Sequence, residues 1–166
     1  MHKRGFCTLV AVICLLTLSS PAFASPDSVA RAFYVSYQKS ANRLEAFTRS
    51  QRSRLEPHLY RLLVRALPRQ PSDGFYLDFD PFINGQMNAA TVHPGKAIRS
   101  RDGALVPIYV SFHLPGHPQL ALHLKLQRVH GVWLITNFLY PASHGLARWD
   151  LRSYLEYGMA HPHQRQ

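Results

Sequence analysis

Cysteine is almost absent from this sequence. The chain has 166 residues and two cysteines, Cys7 and Cys14, both close to the N-terminus. Both lie in a segment that has the features of a cleavable signal peptide, so we expect the mature chain to contain no thiol. This excludes disulfide bonds, thiolate metal sites and a cysteine nucleophile, and it leaves the hydrophobic core to stabilise the fold.

Long hydrophobic runs are absent as well. The most apolar stretch covers residues 6–18 and is shorter than the roughly 20 residues that a membrane-spanning helix needs. Basic residues precede it, and the small-x-small sequence Ala22-Phe23-Ala24 follows it. This order predicts a secretory signal peptide, residues 1–24, and a mature chain that is periplasmic or secreted. A retained membrane anchor is the alternative.

The predicted mature chain, residues 25–166, has 142 residues, which is enough for one domain with a sizeable core. Lipidation is not expected, because a lipoprotein cysteine follows a small residue and here Phe6 and Ile13 precede the two cysteines.

Acidic residues are scarce. Without Lys3 and Arg4 the chain keeps 17 basic side chains against nine acids, a net charge of +8 that arginine dominates. An exported basic protein meets few nucleic acids, so we predict no nucleic-acid partner. The expected partners are an anionic envelope component, such as a lipid headgroup or a cell-wall polymer, a small ligand or an acidic protein. Solubility alone is the alternative explanation of the charge.

Several catalytic and ligand-binding motifs are missing. The chain has no glycine-rich phosphate loop and no Gly-x-Ser-x-Gly nucleophile motif, and we predict neither a cofactor nor a metal. His113, His117 and His123 flank one loop, but that region has no cysteine or acid to complete a zinc site.

Two amphipathic helices are predicted in the first half of the mature chain. A serine, a proline and an acid in succession from Ser25 are typical of a helix start, and this helix is expected to run to about Ala41. A second helix is expected from near Glu56 to just before Pro68.

The second helix carries basic side chains opposite its apolar face. They are spaced four, three, four and four residues apart: Arg54, His58, Arg61, Arg65 and Arg69. Such a stripe is ordinarily a solvated surface, and the functional alternative is contact of Arg54, Arg61, Arg65 and Arg69 with an anionic surface.

The second half of the chain shows the two-residue period of β-strands. We expect a short strand broken at Pro94-Gly95, a hairpin turn at residues 101–103, and a strand with Val106 and Ile108 on one side. Pro107 predicts that this strand lies at a sheet edge or contains a bulge.

A long hairpin with its turn at His130-Gly131 follows. A two-residue turn places Leu126 opposite Ile135, with Trp133 on the same apolar face against the helices.

A short C-terminal helix is predicted from Asp150 to Gly158, followed by a loose tail over about 159–166. The whole order predicts an α+β domain. Its N-terminal helices pack on a curved antiparallel sheet of about four strands, and a short helix ends the chain.

This order resembles the nuclear transport factor two-like superfamily, a cone of helices wrapped by a bent sheet. More narrowly, the chain is similar to a bacterial family of small exported proteins and lipoproteins that has no assigned function. The matching stretches are FYVSY (33–37), DFDPFINGQ (78–86), VPIYVSF (106–112), LHLKLQRVHGVWLITNFLYP (122–141) and DLRSYL (150–155). The resemblance implies a cone-like fold and an exported location, but it implies no activity.

Residues 75–88 contain two acids, Asp78 and Asp80, and allow three interpretations. A calcium loop would need an oxygen ligand where Phe82 stands. A carboxylate pair could perform acid–base chemistry. The resemblance suggests a structural role instead: the two acids pin a turn, Phe82 fills the core, and Gln86 hydrogen-bonds to the backbone.

Aromatic residues could line the mouth of such a cone, although core packing is their more ordinary role. The candidate pocket residues are Tyr34, Tyr37, Asp78, Asp80, Gln86, Tyr109 and Trp133, with Arg99 or Arg128 at the rim.

Two classes of function stay open. The first is a non-catalytic binding module of the cell envelope, and the alternative is a small pocket enzyme of the isomerase, dehydratase or hydrolase type. An open apolar cavity around an acid with a raised pKa would favour the enzyme. A filled interior with a basic or hydrophobic surface would favour the binding module.

Overall fold

The computed structural model describes residues 24–40, 43–86, 89, 91–112, 118–142 and 147–162. The predicted signal peptide up to residue 23, His113 and His117, and residues 163–166 of the predicted tail lie outside these ranges. Within the described ranges, no helix is both long and apolar enough to cross a membrane.

The first helix, α1 (Pro26–Gln38), begins where the sequence predicts. The hydroxyl of Ser25 accepts a hydrogen bond from the backbone amide of Ser28, and the hydroxyl of Ser28 accepts one from the amide of Ser25. This reciprocal cap satisfies two amide groups that the helix itself cannot pair. The helix ends three residues before the predicted Ala41.

Two further helices precede the sheet. The sequence does not predict α2 (Leu44–Ser50), whereas α3 (Pro57–Ala66) is the predicted second helix. The carboxylate of Glu56 caps α3 by accepting hydrogen bonds from the amides of His58, at 2.9 Å, and Leu59, at 3.0 Å. A short 3-10 helix, Pro71–Asp73, follows.

The sheet is antiparallel and has six strands in the described chain, two more than the predicted four or so. The strands are β1 (Thr91–Pro94), β2 (Ile98–Ser100), β3 (Gly103–Ser111), β4 (Gln119–Val129), β5 (Val132–Tyr140) and β6 (Trp149–Asp150). Their order is β1-β3-β4-β5-β6, and β2 also pairs with β3. The prediction of an α+β fold with helices on an antiparallel sheet is confirmed.

Pro107 lies inside β3 without breaking the sheet. β1 pairs with β3 up to Ile108 and β2 begins pairing at Leu105, so the edge of β3 at Pro107 faces the break between these two strands. The carbonyl of Pro107 accepts a hydrogen bond from the amide of Gly95 at 2.7 Å. A bulge follows directly, between Ile108 and Tyr109. β3 lies inside the sheet and the extra residue of this bulge, Ala121, belongs to β4, so the predicted edge strand or bulge within β3 is not found. Pro107 is tolerated because it falls in the gap between β1 and β2, where no ladder needs the amide hydrogen that proline lacks.

The β4–β5 hairpin has the predicted register. A two-residue turn at His130-Gly131, with both residues at positive φ, joins the strands, and Leu126 lies opposite Ile135. A bulge then leaves Thr136 without a partner between Ile135 and Asn137. Because one extra residue reverses the side that each following side chain faces, Phe138 and Tyr140 are buried beyond the bulge.

The core lies between the helices and one face of the sheet, and its centre is aromatic. The ring of Phe33 is 5.0 Å from that of Phe47 and 5.5 Å from that of Phe82, and Phe82 is 5.4 Å from Phe138. Trp133 faces the helices as predicted, but it is only partly buried and packs against the core from its margin.

The C-terminal helix, α4 (Leu151–Ala160), follows β6 and is capped by Asp150 as predicted. Gly158 does not end this helix but lies inside it, two residues before its end. The reason is packing: a Cβ atom at Gly158 would overlap the ring of Phe75, so glycine allows the close approach. α4 packs against α3 and β5.

Candidate functional site

Three tyrosine hydroxyls hold one turn inside the protein. The turn spans residues 80–85 and is closed by a hydrogen bond from the amide of Asp80 to the carbonyl of Gly85 at 2.7 Å. Each of the three hydroxyls donates one hydrogen bond to the turn. Tyr37 donates to Oδ2 of Asp80 at 2.6 Å, Tyr140 donates to the carbonyl of Pro81 at 2.8 Å, and Tyr34 donates to the carbonyl of Phe82 at 2.8 Å. We call residues 80–85 the buried turn.

The three tyrosines reach the buried turn from one helix and one strand. Tyr34 and Tyr37 lie one turn apart on α1, and Tyr140 faces inward on β5 because of the bulge at Thr136. Phe82 is fully buried and fills the space between α1 and β5. The structural interpretation of this stretch is therefore confirmed for Asp80 and Phe82.

The carboxyl group of Asp80 has a perturbed pKa. Burial raises this pKa to about 6, although the hydrogen bonds from Tyr37 and from the amide of Phe82 oppose the shift by stabilising the carboxylate. Burial and the nearby carboxylate also raise the pKa of Tyr37, which remains a hydrogen-bond donor at neutral pH.

A raised carboxyl pKa is typical of a general base, but a base must also reach a substrate. Asp80 lines neither of the two grooves found on the described surface. One of its oxygens accepts from Tyr37 and the other from the amide of Phe82. The arrangement pins a turn, and both oxygens of the Asp80 carboxyl already accept a hydrogen bond there.

The other candidate pocket residues do not join Asp80. Asp78 and Gln86 are exposed, and no hydrogen bond joins the Gln86 side chain to any other described residue, so its predicted backbone contact is not formed there. Tyr109 is 37% exposed on the face of β3 that points away from the helices, and Trp133 lies at the core margin. Strand alternation directs Tyr109 away from the buried Tyr34 and Tyr37, so the structure does not bring these three tyrosines together.

The predicted basic stripe is shorter in the structure. Arg54 precedes α3 and donates to Oε1 of Gln51 at 2.8 Å, and Arg69 lies beyond the helix end and donates to the carbonyl of Asp73 at 2.7 Å. Arg61 and Arg65 remain exposed on the helix. The four-arginine set is therefore corrected to two, because only these two lie within the regular part of α3.

The predicted rim residues also have other roles. Arg99 lies 3.9 Å from the Asp27 carboxylate, and Arg128 donates to the carbonyl of Gly131 at 3.1 Å in the β4–β5 turn. They are held at different hairpins and do not border a common pocket.

An open groove of about 590 Å³, which we call the aromatic groove, lies between the segment before β1 and the β6–α4 corner. Its walls include four aromatic side chains: Phe79, Trp149, Tyr154 and Tyr157. Asp78 and Arg148 also line it. Burial, and after it the Asp78 carboxylate, raises the pKa of Tyr154.

Sequence reasoning missed most of this groove. The sequence pattern assigned no ligand-binding role to Trp149, Tyr154 or Tyr157. A signal was present, because Tyr154 and Tyr157 are three residues apart and share one helix face, directly after a tryptophan.

A second groove, of about 500 Å³, lies between α2 and residues 67–79 and contains the Arg49–Glu45 ion pair, 2.7 Å long. Within the described residues, no group of three or more histidine, cysteine or acidic side chains is placed to hold a metal ion.

Comparison of the chain with protein-family models, with curated proteins and with solved structures finds no match. The class that the geometry defines is an α+β domain with an aromatic core and, on the part of its surface that the structure describes, two ligand-sized grooves.

Proposed function

We propose that the protein is an exported, non-catalytic binding module of the bacterial cell envelope, which docks on an anionic component through the exposed surface of α3. The observation that carries this proposal is the way the structure distributes its charges.

Most acidic side chains are engaged in local structure. Asp27 accepts a hydrogen bond from the amide of Ala97 at 2.7 Å, and other acids cap helices or form short ion pairs. Seven of the nine acids have such a role: Asp27, Glu45, Glu56, Asp73, Asp80, Asp150 and Glu156. These contacts hold the seven carboxylates in place, and among the described residues none of them pairs with Arg61 or Arg65.

The surface of α3 shows the basic excess of the chain most clearly. Arg61 and Arg65 lie one helical turn apart and are exposed, and neither forms a hydrogen bond or ion pair with another described residue. In the turn before α3, the guanidinium group of Arg52 lies 5.9 Å from the centre of the Tyr60 ring. We call Arg61 and Arg65 the basic pair. Two uncompensated guanidinium groups on a rigid helix suit phosphate or carboxylate oxygens.

The alternative, a small pocket enzyme, draws support from the raised pKa of Asp80. The filled aromatic interior counts against it, because both oxygens of this carboxyl are already hydrogen-bonded and the surrounding space is occupied by side chains. The binding module is therefore the function that we prefer.

Membership in the nuclear transport factor two-like superfamily is part of the same proposal. Its support is the order of helices before a bent antiparallel sheet and the long β4–β5 hairpin. The exported location is supported by the signal-peptide pattern of the first 24 residues.

The proposal can be tested with a double charge reversal, Arg61→Glu with Arg65→Glu. The mature protein should sediment with phosphatidylcholine vesicles that contain phosphatidylglycerol, or be retained on a heparin column, at low ionic strength and less so at high salt. The double variant should bind at least about tenfold more weakly, since each basic residue near an anionic surface contributes about 1 kcal/mol.

A matched control, Arg31→Glu with Arg101→Glu, changes the net charge equally at exposed positions outside α3. It should lose much less binding than the test variant. An equal loss in both variants would show that net charge, and not the basic pair, determines binding. Absence of binding by the unaltered protein at low salt would contradict the proposal outright.

A further inference from the structure

The aromatic groove carries a second inference, independent of the basic pair. We propose that it binds a segment of a neutral, hydroxyl-rich saccharide, with aromatic rings against the sugar faces and polar groups on the hydroxyls. The argument rests on ring geometry, on charge balance and on size.

The aromatic wall is rigid. The ring of Trp149 packs against the buried ring of Tyr140, with ring centres 4.0 Å apart and a tilt of 34°, and it also lies 5.7 Å from Phe79 and 5.3 Å from Tyr154. Phe79 and Tyr154 are in turn 6.3 Å apart, so the three groove rings support one another. Because these rings are fixed before any ligand arrives, little side-chain entropy is lost on binding.

The groove also extends to an accessible ring. Tyr157 is 43% exposed and stacks against His161 at 4.3 Å. A partly exposed aromatic ring next to a fixed aromatic wall is suited to a ligand that has apolar C–H faces, because the ring face is the negative part of its quadrupole. A pyranose ring has such faces.

The ionic groups of the groove are balanced. Asp150 stays charged, because its Oδ1 accepts from two neutral donors, the Asn137 amide at 2.6 Å and the backbone amide of Ser153 at 3.0 Å. It caps α4, so the positive end of the helix macrodipole and the nearby Lys125 offset part of its charge. The other two charged groups of the described lining are Asp78 and Arg148, one of each sign, both exposed.

Balance of this kind favours a neutral ligand. An anion would gain at Arg148 but be opposed by Asp78, and a cation would meet the reverse. Hydroxyl groups can use both, since they donate to a carboxylate and accept from a guanidinium group. The groove differs in this respect from the basic pair, which has no acid beside it to balance it.

The size is appropriate as well. At about 590 Å³ the groove falls within the roughly 300–1,000 Å³ of small-ligand sites. It is open along one side, so a sugar unit could bind while the rest of a polymer continues past it.

The test uses tryptophan fluorescence. The chain has two tryptophans, so the variant Trp133→Phe leaves Trp149, in the groove wall, as the single reporter. Titration with a β-1,4-linked tetramer of N-acetylglucosamine, and separately of glucose, should change the Trp149 emission saturably for at least one of them. Tyr157→Ala should weaken that binding by about threefold to tenfold.

A separate variant tests the role of charge in the groove. Asp78→Asn keeps an acceptor for a ligand hydroxyl but removes the charge that strengthens this hydrogen bond, so the affinity for the neutral oligosaccharide should fall by about twofold to fivefold and should not be lost. The exposed tyrosine on the outer sheet face provides a matched control, and Tyr109→Ala should leave the titration unchanged. The Arg61→Glu, Arg65→Glu variant should also bind the sugar normally, which separates this proposal from the proposed function.

Three outcomes would overturn the proposal. The first is no saturable change with either oligosaccharide up to about 10 mM. The second is an equal loss of binding in Tyr157→Ala and Tyr109→Ala. The third is saturable binding of a proline-rich peptide or of an anionic polymer at this reporter while both neutral sugars fail, since that would assign the groove to another ligand class.

Discussion

At the scale of single residues, the most unusual group is Asp80. A carboxyl beside aromatic rings would be expected to become neutral, yet two donors hold it from opposite sides, Tyr37 and the amide of Phe82. The result is a compromise, a pKa near 6, in which burial prevails over the hydrogen bonds. The residue belongs to the architecture of the buried turn.

This pKa makes stability depend on pH. Because the folded-state value, about 6, lies above the ordinary value of 3.8, the folded protein holds its proton more tightly. The contribution of Asp80 to stability is fully present below about pH 4 and is lost as pH rises through about 6, an effect of up to about 3 kcal/mol. Asp80→Asn should remove this dependence.

Urea unfolding at several pH values between about 4.5 and 7.5 measures this pH dependence of stability. The difference in unfolding free energy between the unaltered protein and Asp80→Asn should favour the unaltered protein more at the acid end. Comparison with the variant is needed because the capping acids Glu56 and Asp150 have lowered pKa values and act in the opposite direction. Parallel pH profiles for the two proteins would contradict the assignment.

At the scale of elements, local signals and long-range packing compete within the same helix or strand. Caps by Ser25, Glu56 and Asp150 begin their helices where the sequence predicts. In α4, however, Gly158 does not act as a terminator, because Phe75 approaches its backbone and the helix continues to Ala160. A glycine inside a helix is otherwise unfavourable by about 1 kcal/mol.

Gly158→Ala tests this balance. Helix propensity alone would stabilise the variant by about 1 kcal/mol, but the added methyl group overlaps the ring of Phe75, and overpacking costs about 1–3 kcal/mol. We expect a lower melting temperature, and we expect Phe75→Leu to recover part of the loss in the double variant. A Gly158→Ala protein with a higher melting temperature would show that the ring moves aside freely.

At the scale of the whole molecule, the centre of the core lies beyond the bulge of β5 and does not include Trp133. The sequence draws attention to Trp133 because of its size and its place in the hairpin. The structure places Phe138, beyond the bulge, at the centre among Phe33 and Phe82, with Trp133 at the margin. The bulge at Thr136 is the reason, since it exchanges the buried and exposed sides of the last part of β5.

Two substitutions compare these positions. Phe138→Ala should lower the unfolding free energy by about 3–5 kcal/mol, as for other fully buried phenylalanines, whereas Trp133→Ala should cost clearly less and leave the protein folded. Chemical denaturation followed by circular dichroism gives both values. A larger loss for Trp133→Ala would mean that the hairpin face is centred on the indole after all.

The surfaces of the molecule follow from the same packing. Caps, turns and ion pairs hold seven of the nine acids, and among the described residues none of these pairs with the basic pair on α3. Because the β6–α4 corner packs Trp149 against Tyr140, an aromatic groove with charges of both signs lies beside it. The two surfaces therefore suit different ligand chemistries.

The sequence by itself determined the class of fold, the helix starts, the two-residue turn at His130-Gly131 and the register that sets Leu126 against Ile135. These features depend on neighbours a few residues apart along the chain, so a periodic pattern reveals them. Tertiary structure alone decided which groups surround Asp80, since its turn is held by hydroxyls that are 43, 48 and 59 residues away from their acceptors. It also decided the burial of Phe138, the shortening of the basic stripe and the meeting of four aromatic rings in one groove. A bulge, a helix end or a close packing contact decides which distant residues meet and which side chains are buried, and the local sequence pattern does not show where these features fall.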